Sequence, residues 1–437
     1  MLDAALGARA EEIARDVAAR LASSERVRSA AASSLEQSRF PGQLAWRPAS
    51  TAHGNAGLAV LFGHLDACFP DEGWDRAGAR ELACAARALE AGCVRGIGLF
   101  GGLSGAAFAA HASSRGGTRY RRLSAALDEA LRAPTLALCA EVRAARGGMP
   151  FRDFDVISGL AGVGAYLLCR IGAPDVRRTL ESVLGALVDM VVEDGAPRAH
   201  EPPRWHTPGR FLREERLRAQ HPDGVLNCGL AHGIPGPLAL LSLAKLEGVE
   251  IAGLEAAIDA LVSWLLAHRE SDARGAGWPD VAPLRSGAAP TPPSRAAWCY
   301  GTPGVARAVW LAGRALGRPA IGEQATAAME AVVVMPAERR SLSSPTFCHG
   351  LAGLLAITLR FAADTGEERF RAGASALARE LIDAYEPGSP LGYRSVEAPG
   401  RSVDDPGLLD GAAGVPLVLL AASRAVEPAW DRLFLLA

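Results

Sequence analysis

Two kinds of apolar segment alternate along the chain, and both have the spacing of helices. In DVRRTLESVLGALVDMVVED at 175–194, apolar residues recur every three or four positions, which predicts a helix with one buried face. IAGLEAAIDALVSWLLAHRE at 251–270 and the N-terminal 21 residues have the same period. Other segments, such as VPLVLLAA at 415–422, are apolar on every side and predict helices buried in the interior.

The fully apolar segments share a start signal: each follows a Gly-x-x-Gly motif. The seven segments that contain this motif are HGNAGLAVLF (53–62), GGLSGAAFAA (101–110), SGLAGVGAYL (158–167), HGIPGPLALL (232–241), YGTPGVARAV (300–309), HGLAGLLAIT (349–358) and DGAAGVPLVL (410–419). Their first glycines are spaced by about 60 residues on average, which indicates an internal repeat. One such motif is weak evidence, but seven, each followed by an apolar run, are much stronger.

Alternation of amphipathic and fully apolar helices predicts two layers. We therefore expect an all-α fold, an α/α toroid of seven helical hairpins whose inner helices are opened by the Gly-x-x-Gly motifs. An open α-solenoid is the competing architecture. Residues 1–437 are interpreted as a single domain, with a loop insertion at about 196–224 that is rich in Pro and Arg. Trp205 in this loop looks exposed, and the loop is either a lid or an ordinary surface insertion.

The composition and the sequence patterns of the chain limit which partners and which cellular location are expected. A formal net charge of −2 gives no reason to expect nucleic acid or an anionic membrane as a partner. No apolar run approaches the ~18 residues of a membrane span, and the N-terminus lacks the pattern of a signal peptide. A cytoplasmic location is therefore expected. The eight cysteines are too scattered for a disulfide framework, so they are expected to be reduced.

The positions just before each first glycine carry the candidate chemistry. Directly before it stand His53, Gly101, Ser158, His232, Tyr300, His349 and Asp410. Three histidines at one repeat position are unexpected when the whole chain has nine. One residue earlier, Cys299 and Cys348 occupy equivalent places in adjacent repeats, so in a ring they would be neighbours. Cys299, Cys348 and His349 can therefore converge on one point.

Two thiolates and one imidazole form a Cys₂His ligand set. Three protein ligands leave a fourth position of zinc open for water or substrate, and soft sulfur ligands favour zinc over magnesium or calcium. The alternative is that both cysteines are small buried residues and that His349 caps a helix.

Other polar residues near the motifs have structural interpretations as well. His232 can simply bond to backbone, Asp155 can be a solvated loop acid or a helix cap, and Arg295 can be a surface charge. Cys228 is interpreted as a buried thiol. The remaining polar residues of this set, His53 and Asp410, are candidates for contacts around the site and are given no catalytic role.

The segments NCGLAHGIPG, RAAWCYGTPG and TFCHGLAG, in this order, resemble the signatures of the lanthionine synthetase C-like (LanC-like) family, the cyclases of lanthipeptide biosynthesis. The resemblance covers nearly the whole chain. It implies the α/α toroid, zinc bound by Cys299, Cys348 and His349, and an acid/base role for His232. It further implies that Asp155 orients His232 and that Arg295 and Tyr300 flank the first zinc cysteine in the active site.

The resemblance implies a free-standing cyclase, since no dehydratase-sized region precedes the repeats. Its substrate would be a precursor peptide, leader plus core, that contains dehydroalanine or dehydrobutyrine and free cysteines. Intramolecular Michael addition of each thiol forms a lanthionine or methyllanthionine ring. A lanthipeptide dehydratase is a possible partner. The alternative is a non-cyclising LanC-like zinc protein that binds a thiol such as glutathione.

Two remoter interpretations remain open at this stage. One is an α/α-toroid carbohydrate enzyme or prenyltransferase-like protein; a glycosidase needs paired carboxylates, for which only Asp410 and Asp155 qualify near the motifs. A helical scaffold without chemistry leaves the placement of the cysteines and histidines unexplained.

Overall fold

The structure, a computed structural model, describes residues 2–94, 96–192, 202–212, 214–272, 275–284, 294–397 and 400–437. Within these ranges there are seventeen α-helices and six short strands. The chain divides into two compact units. Unit 1 comprises Met1–Leu127 and Pro336–Asp431, and unit 2 comprises Asp128–Met335 and Arg432–Ala437.

Every Gly-x-x-Gly motif opens a buried helix, as predicted. Each of the seven helices begins one to three residues after the first glycine of its motif. They are α4 (Asn55–Cys68), α6 (Leu103–Ala112), α8 (Leu160–Cys169), α11 (Pro235–Leu246), α13 (Thr302–Ala315), α15 (Leu351–Thr365) and α17 (Gly414–Ser423). Apolar residues surround the axis of these helices, so nearly every side chain is buried.

The amphipathic segments form the second set of helices. These are α1 (Ala4–Leu21), α5 (Trp74–Glu90), α7 (Arg121–Ala144), α9 (Pro174–Val191), α12 (Leu254–Ala267), α14 (Pro319–Val333) and α16 (Glu368–Asp383). The helices predicted over 175–194 and 251–270 are α9 and α12, and both predictions are confirmed. Shorter helices are α2 (Ser24–Gln37), α3 (Pro41–Leu44) and α10 (Glu215–Gln220).

In unit 1 the apolar helices pack side by side in the order α15, α17, α4 and α6. Two of them pair with the amphipathic helix that follows in sequence: α4 packs on α5, and α15 packs on α16. The seventh apolar helix, α17, packs on the N-terminal helix α1. The buried stripe of Ile13, Val17 and Leu21 explains why α1 is amphipathic.

In unit 2 the apolar helices α8, α11 and α13 also pack in succession, each with its amphipathic partner α9, α12 or α14. The C-terminal residues belong to this unit and are held by two buried side chains. Trp298 donates its indole N–H to the carbonyl of Phe434 at 3.0 Å, and Arg307 donates its Nε–H to the carbonyl of Leu436 at 2.7 Å. These bonds satisfy polar groups that would otherwise be costly to bury.

The six strands are three residues long and were not predicted. They form three antiparallel pairs: β1 (Val225–Asn227) with β4 (Val281–Pro283), β2 (Glu270–Asp272) with β3 (Gly275–Gly277), and β5 (Ser395–Glu397) with β6 (Arg401–Val403). The β1–β4 pair is relevant to function, because β1 ends at Asn227 and leads directly into the fourth motif.

The predicted insertion at 196–224 is only partly described, since residues 196–201 and 213 lie outside the described ranges. Its remaining part contains a 3-10 helix, Gly209–Phe211, and α10. The expectation that Trp205 is exposed is wrong. Its side chain is buried and packs edge-on against Trp264, with ring centroids 6.5 Å apart. The large apolar surface of the indole ring is therefore removed from solvent.

Interpretation of residues 1–437 as a single domain stays a prediction. No helix in the described ranges is long and apolar enough to cross a membrane.

Candidate functional site

A repeated backbone hydrogen bond places the residues before the glycines side by side. In unit 1, Ala52 N–H donates to the carbonyl of Phe100 at 3.2 Å, and Cys348 N–H donates to that of Leu409 at 2.9 Å. In unit 2, Ala231 N–H donates to the carbonyl of Cys299 at 3.2 Å. All three bonds join the position two residues before the first glycine to its equivalent in the next repeat within the unit. Within each unit, equivalent positions are therefore neighbours in space.

The glycines permit this turn because backbone occupies the space of a side chain. A Cβ on Gly301 would lie 1.7 Å from the carbonyl oxygen of Arg295, and the φ of Gly301 is +110°. A Cβ on Gly304 would lie 2.2 Å from the carbonyl oxygen of Trp298. Only glycine tolerates this close approach together with a positive φ. The turn holds Cys299 and Tyr300 at the start of α13.

Among the residues that the structure describes, one set of His, Cys, Asp or Glu side chains has the arrangement of a metal site. The ligand atoms of Cys299, Cys348 and His349 all lie within 4.8 Å of one another. Cys299 is buried, whereas Cys348 and His349 are half-buried. The alternative role of His349 as a helix cap finds no support, because the cap of α15 is Gly350 and lacks a side-chain hydrogen bond. The set is compatible with zinc, and its role as ligand stays a prediction.

Three further side chains of unit 1 surround His349 in a chain of alternating acids and imidazoles. His349 Nδ1 lies 3.3 Å from Oδ1 of Asp410, and His53 Nε2 lies 3.5 Å from Oδ2 of the same carboxylate. His53 Nδ1 in turn lies 3.2 Å from Oδ2 of Asp405. Burial by itself would lower the pKa of His53, but the two neighbouring carboxylates outweigh it and raise the pKa to about 10.

The pKa of Asp410 is shifted in the opposite direction. Burial alone would raise its pKa, but the close approach of His349 and His53 and their charges hold the pKa well below its usual range. Asp410 is therefore an anion between two imidazoles. Neither Asp410 nor His53 was given a catalytic role from the sequence.

The second histidine–carboxylate pair lies in unit 2. Asp155 is fully buried, and its Oδ2 lies 2.6 Å from Nδ1 of His232. Its Oδ1 accepts the backbone N–H groups of Ser158 at 2.7 Å and Gly159 at 2.9 Å. Asp155 is thus neither a solvated loop acid nor a cap of α8, which has no side-chain cap: it holds the turn before that helix and contacts His232 at the same time. The other face of His232 is bounded by Phe151, with ring centroids 4.9 Å apart.

Tyr300 lies beside this pair. Its ring centroid is 6.2 Å from that of His232, and its hydroxyl accepts a hydrogen bond from Nδ2 of Asn227 at 2.9 Å. Burial raises the pKa of Tyr300 well above its usual range, so the hydroxyl stays protonated. Since an amide N–H can only donate, the hydroxyl proton of Tyr300 is free to point at a different acceptor.

Arg295 and Cys228 are the last two residues singled out from the sequence. The side chain of Arg295 is exposed, which agrees with both of its sequence interpretations. Cys228 is fully buried, and burial raises the pKa of its thiol to about 12, as expected for a buried thiol outside the chemistry.

Asn227 and Asp405 were missed, although a positional signal exists. Each stands six residues before the first glycine of its repeat, the same place as Arg295 in the fifth repeat. Gly229 N–H donates to Oδ1 of Asn227 at 3.0 Å, and Gly407 N–H donates to Oδ1 of Asp405 at 2.8 Å. A polar side chain at this position therefore holds the turn and faces the neighbouring motif residues.

Comparison with known proteins supports the same fold and family. The model of the lanthionine synthetase C-like protein family matches residues 45–435. Nisin biosynthesis protein NisC of Lactococcus lactis subsp. lactis is 26% identical over 222 residues, which cover 48% of this chain and 49% of NisC. The alignment thus spans about half the length of this relative. The solved structure of nisin cyclase matches with a TM-score of 0.74 at 20% identity, covering 89% of this chain and 92% of that one. This likeness shows the α/α-toroid fold that the repeats predict, and the open solenoid is not adopted.

Proposed function

The chain belongs to the lanthionine synthetase C-like family, and from this premise we propose that it is a zinc-dependent lanthipeptide cyclase. Its substrate would be a dehydrated precursor peptide. The thiol of a peptide cysteine adds to the β-carbon of dehydroalanine or dehydrobutyrine, and the proton lost from sulfur is balanced by one gained at the α-carbon. The product is a thioether ring of unchanged mass.

Cys299, Cys348 and His349 would hold the zinc ion. Two soft sulfur ligands and one imidazole suit zinc, and a set of three leaves room for an incoming thiol. Bound there, zinc supplies the positive charge that lowers the pKa of a substrate thiol from its ordinary ~8.5.

His232 is the candidate proton donor to the α-carbon. Because Asp155 engages Nδ1, the other ring nitrogen, Nε2, is left to hold or deliver a proton. The two backbone N–H groups on Asp155 fix the position of this carboxylate, so that the imidazole is held in one orientation. A fixed donor protonates one face of the α-carbon, which sets the stereochemistry of the ring.

Tyr300 and Arg295 are candidates for stabilising the enolate oxygen that develops during addition. Tyr300 has a hydroxyl proton that its bond from Asn227 leaves available. Donors aimed at developing charge are among the larger contributions to catalysis. Arg295 carries a permanent positive charge at an exposed position, where a peptide can reach it.

One observation carries the proposal: the His232–Asp155 pair and Cys299, a proposed zinc ligand, lie on neighbouring repeats within unit 2. Ala231, next to His232, is hydrogen-bonded to the carbonyl of Cys299 at 3.2 Å. A protein that merely binds a thiol has no need of a histidine oriented by a buried carboxylate beside the cysteine. This favours cyclisation over the alternative of a glutathione-binding LanC-like protein.

The test uses a synthetic peptide with one dehydroalanine and one free cysteine, incubated with the purified zinc-loaded protein. Loss of free thiol is followed by the mass added on alkylation, because cyclisation itself leaves the mass unchanged. Peptide alone and protein with His232→Ala serve as controls for spontaneous addition. We expect faster loss of thiol with the wild-type protein and a single lanthionine diastereomer after hydrolysis. A rate and diastereomer ratio equal to those of peptide alone, together with saturable binding of glutathione, would favour the alternative function.

A further inference from the structure

The proposed metal ligand His349 contacts a carboxylate that is itself shared with a second histidine. Oδ1 of Asp410 faces Nδ1 of His349 at 3.3 Å, and Oδ2 faces Nε2 of His53 at 3.5 Å. The two oxygens of one carboxylate thus meet two different imidazoles. His53 is fixed on its far side by Asp405, whose side chain is 1% exposed.

The backbone of unit 1 brings these residues together. Leu408 N–H donates to the carbonyl of Ala52 at 2.7 Å, which ties the segment before Asp410 to the segment before His53. Cys348 N–H donates to the carbonyl of Leu409 at 2.9 Å, which ties the residue before Asp410 to the residue before His349. Each of these side chains is therefore positioned by its neighbouring repeat rather than by its own helix.

The space around His53 is closed. A Cβ on Gly407 would lie 2.7 Å from Nδ1 of His53, so the ring is packed against bare backbone. The side chain of His53 is 9% exposed, whereas those of Asp410 and His349 are 22% and 30% exposed. The array therefore runs from a buried end at Asp405 to an accessible end at His349.

Two oxygens of the array, Oδ1 of Asp410 and Oδ2 of Asp405, lack a well-aligned partner among the described residues, and so does Nδ1 of His53. Oδ1 of Asp410 is buried and has no hydrogen bond of good geometry within the described ranges, although His349 Nδ1 is 3.3 Å away. Leaving a buried carboxylate oxygen without a donor is costly. A hydrogen bond from Nδ1 of His349, which lies 3.3 Å away, would supply this donor and would leave Nε2 for a metal ion.

We propose that Asp410 is a positioning residue for His349, and that His53 and Asp405 in turn hold Asp410. Asp410 accepts the Nδ1–H of His349, which fixes the tautomer and the ring plane that present Nε2 to the metal. A carboxylate on the second nitrogen of a ligating histidine also makes that histidine a better ligand. The inference rests on the proposed role of His349 as a zinc ligand.

The experiment measures zinc affinity by competition with a chromophoric chelator, which is a readout independent of cyclisation. The central variant is Asp410→Asn, whose amide keeps the shape of the side chain but not its charge or its second acceptor oxygen. We expect the Kd for zinc to rise about 10- to 100-fold, as when other outer partners of metal ligands are removed. Asp410→Glu is expected to recover part of the loss, and His53→Gln to raise the Kd by a smaller factor.

Asp155→Asn is the matched control, because it makes the same change in the other histidine–carboxylate pair. Its zinc Kd is expected to equal that of the wild type. Equal affinities for Asp410→Asn and the wild type, or equal losses in Asp410→Asn and Asp155→Asn, would overturn the positioning role. If Asp410→Asn fails to fold, as judged by the melting of the metal-free protein, His53→Gln decides: an unchanged Kd overturns the proposal and a raised Kd supports it. A wild-type protein without zinc affinity would instead refute the proposed function itself.

Discussion

The histidines of the fourth and sixth repeats occupy the same motif position, and both side chains are 30% exposed. Each directs Nδ1 towards a carboxylate. The carboxylates differ: Asp155 is 1% exposed, accepts two backbone N–H groups and lies 2.6 Å from its histidine. Asp410 is 22% exposed, is shared with a second histidine and lies 3.3 Å from its own.

This difference shows how one repeat position can serve two chemical tasks. In both pairs the carboxylate occupies Nδ1 and leaves Nε2 for chemistry. What Nε2 then does depends on its other neighbours. His349 lies among two cysteine sulfurs and is suited to metal binding, whereas His232 lies between aromatic rings and is suited to hold a proton.

The largest difference between the two histidine–carboxylate pairs is expected when each histidine is replaced by alanine. His349→Ala, like Cys299→Ala and Cys348→Ala, should lose both stoichiometric zinc and cyclisation, because two remaining ligands bind zinc weakly. Metal analysis after dialysis measures the first effect and the peptide assay the second. A full equivalent of zinc in any of these variants contradicts the ligand assignment.

His232→Ala should keep a full equivalent of zinc and lose rate. A positioned general acid contributes about 10²- to 10⁴-fold, so the catalysed rate should fall by that factor or reach the spontaneous rate. The ring diastereomers should also become mixed, because protonation would then come from water on either face. An unchanged rate and a single diastereomer would remove His232 from the mechanism.

Asp155→Asn should have a smaller effect in the same direction. The amide oxygen can still accept the N–H groups of Ser158 and Gly159, so the turn before α8 is kept. The amide N–H, however, would donate to Nδ1 of His232 and reverse its tautomer. We expect a rate loss of about 10- to 100-fold with zinc retained, below the ~10²- to 10⁴-fold contribution of the acid–base group itself. If Asp155→Asn loses zinc while Asp410→Asn keeps it, the two pairs have been assigned the wrong way round.

The helices and the candidate site could be predicted because both depend on short patterns of residues that are close in sequence. The spacing of apolar residues and the Gly-x-x-Gly motif locate α4 or α15 without reference to distant residues. The internal repeat places Cys299 and Cys348 in equivalent positions. The contacts of Asp405 with His53 could not be predicted in the same way. They join the seventh repeat to the first, and no local spacing specifies which polar side chain meets which.

The burial of Trp205 and the three-residue strands were missed for a related reason. Trp205 lies in a polar, Pro-rich segment, and only its packing on Trp264 from a distant helix makes it buried. Strands as short as β1 carry no period that could be recognised, because their pairing partner, rather than their own sequence, stabilises them.

The smallest effect we expect is a change in how the free energy of unfolding depends on pH. The pKa of His53 is raised from 6.5 to about 10 in the folded protein, so its charge stabilises the fold fully below pH 6.5 and ever less as pH rises towards 10. Denaturant unfolding of the metal-free protein should therefore give a lower free energy of unfolding at pH 8.5 than at pH 6.5, by about 1.4 kcal/mol per pH unit at most.

His53→Gln should remove this part of the pH dependence, since the amide does not titrate. The comparison stays below pH 9, because burial raises the pKa of Cys68 and Cys139 to about 11, and these thiols also destabilise the fold once their unfolded forms ionise. Asp410 does not interfere, because its lowered pKa matters only as pH falls below its unfolded value of 3.8. Identical slopes for wild type and His53→Gln between pH 6.5 and 8.5 would show that the imidazole is not held as a cation by Asp405 and Asp410.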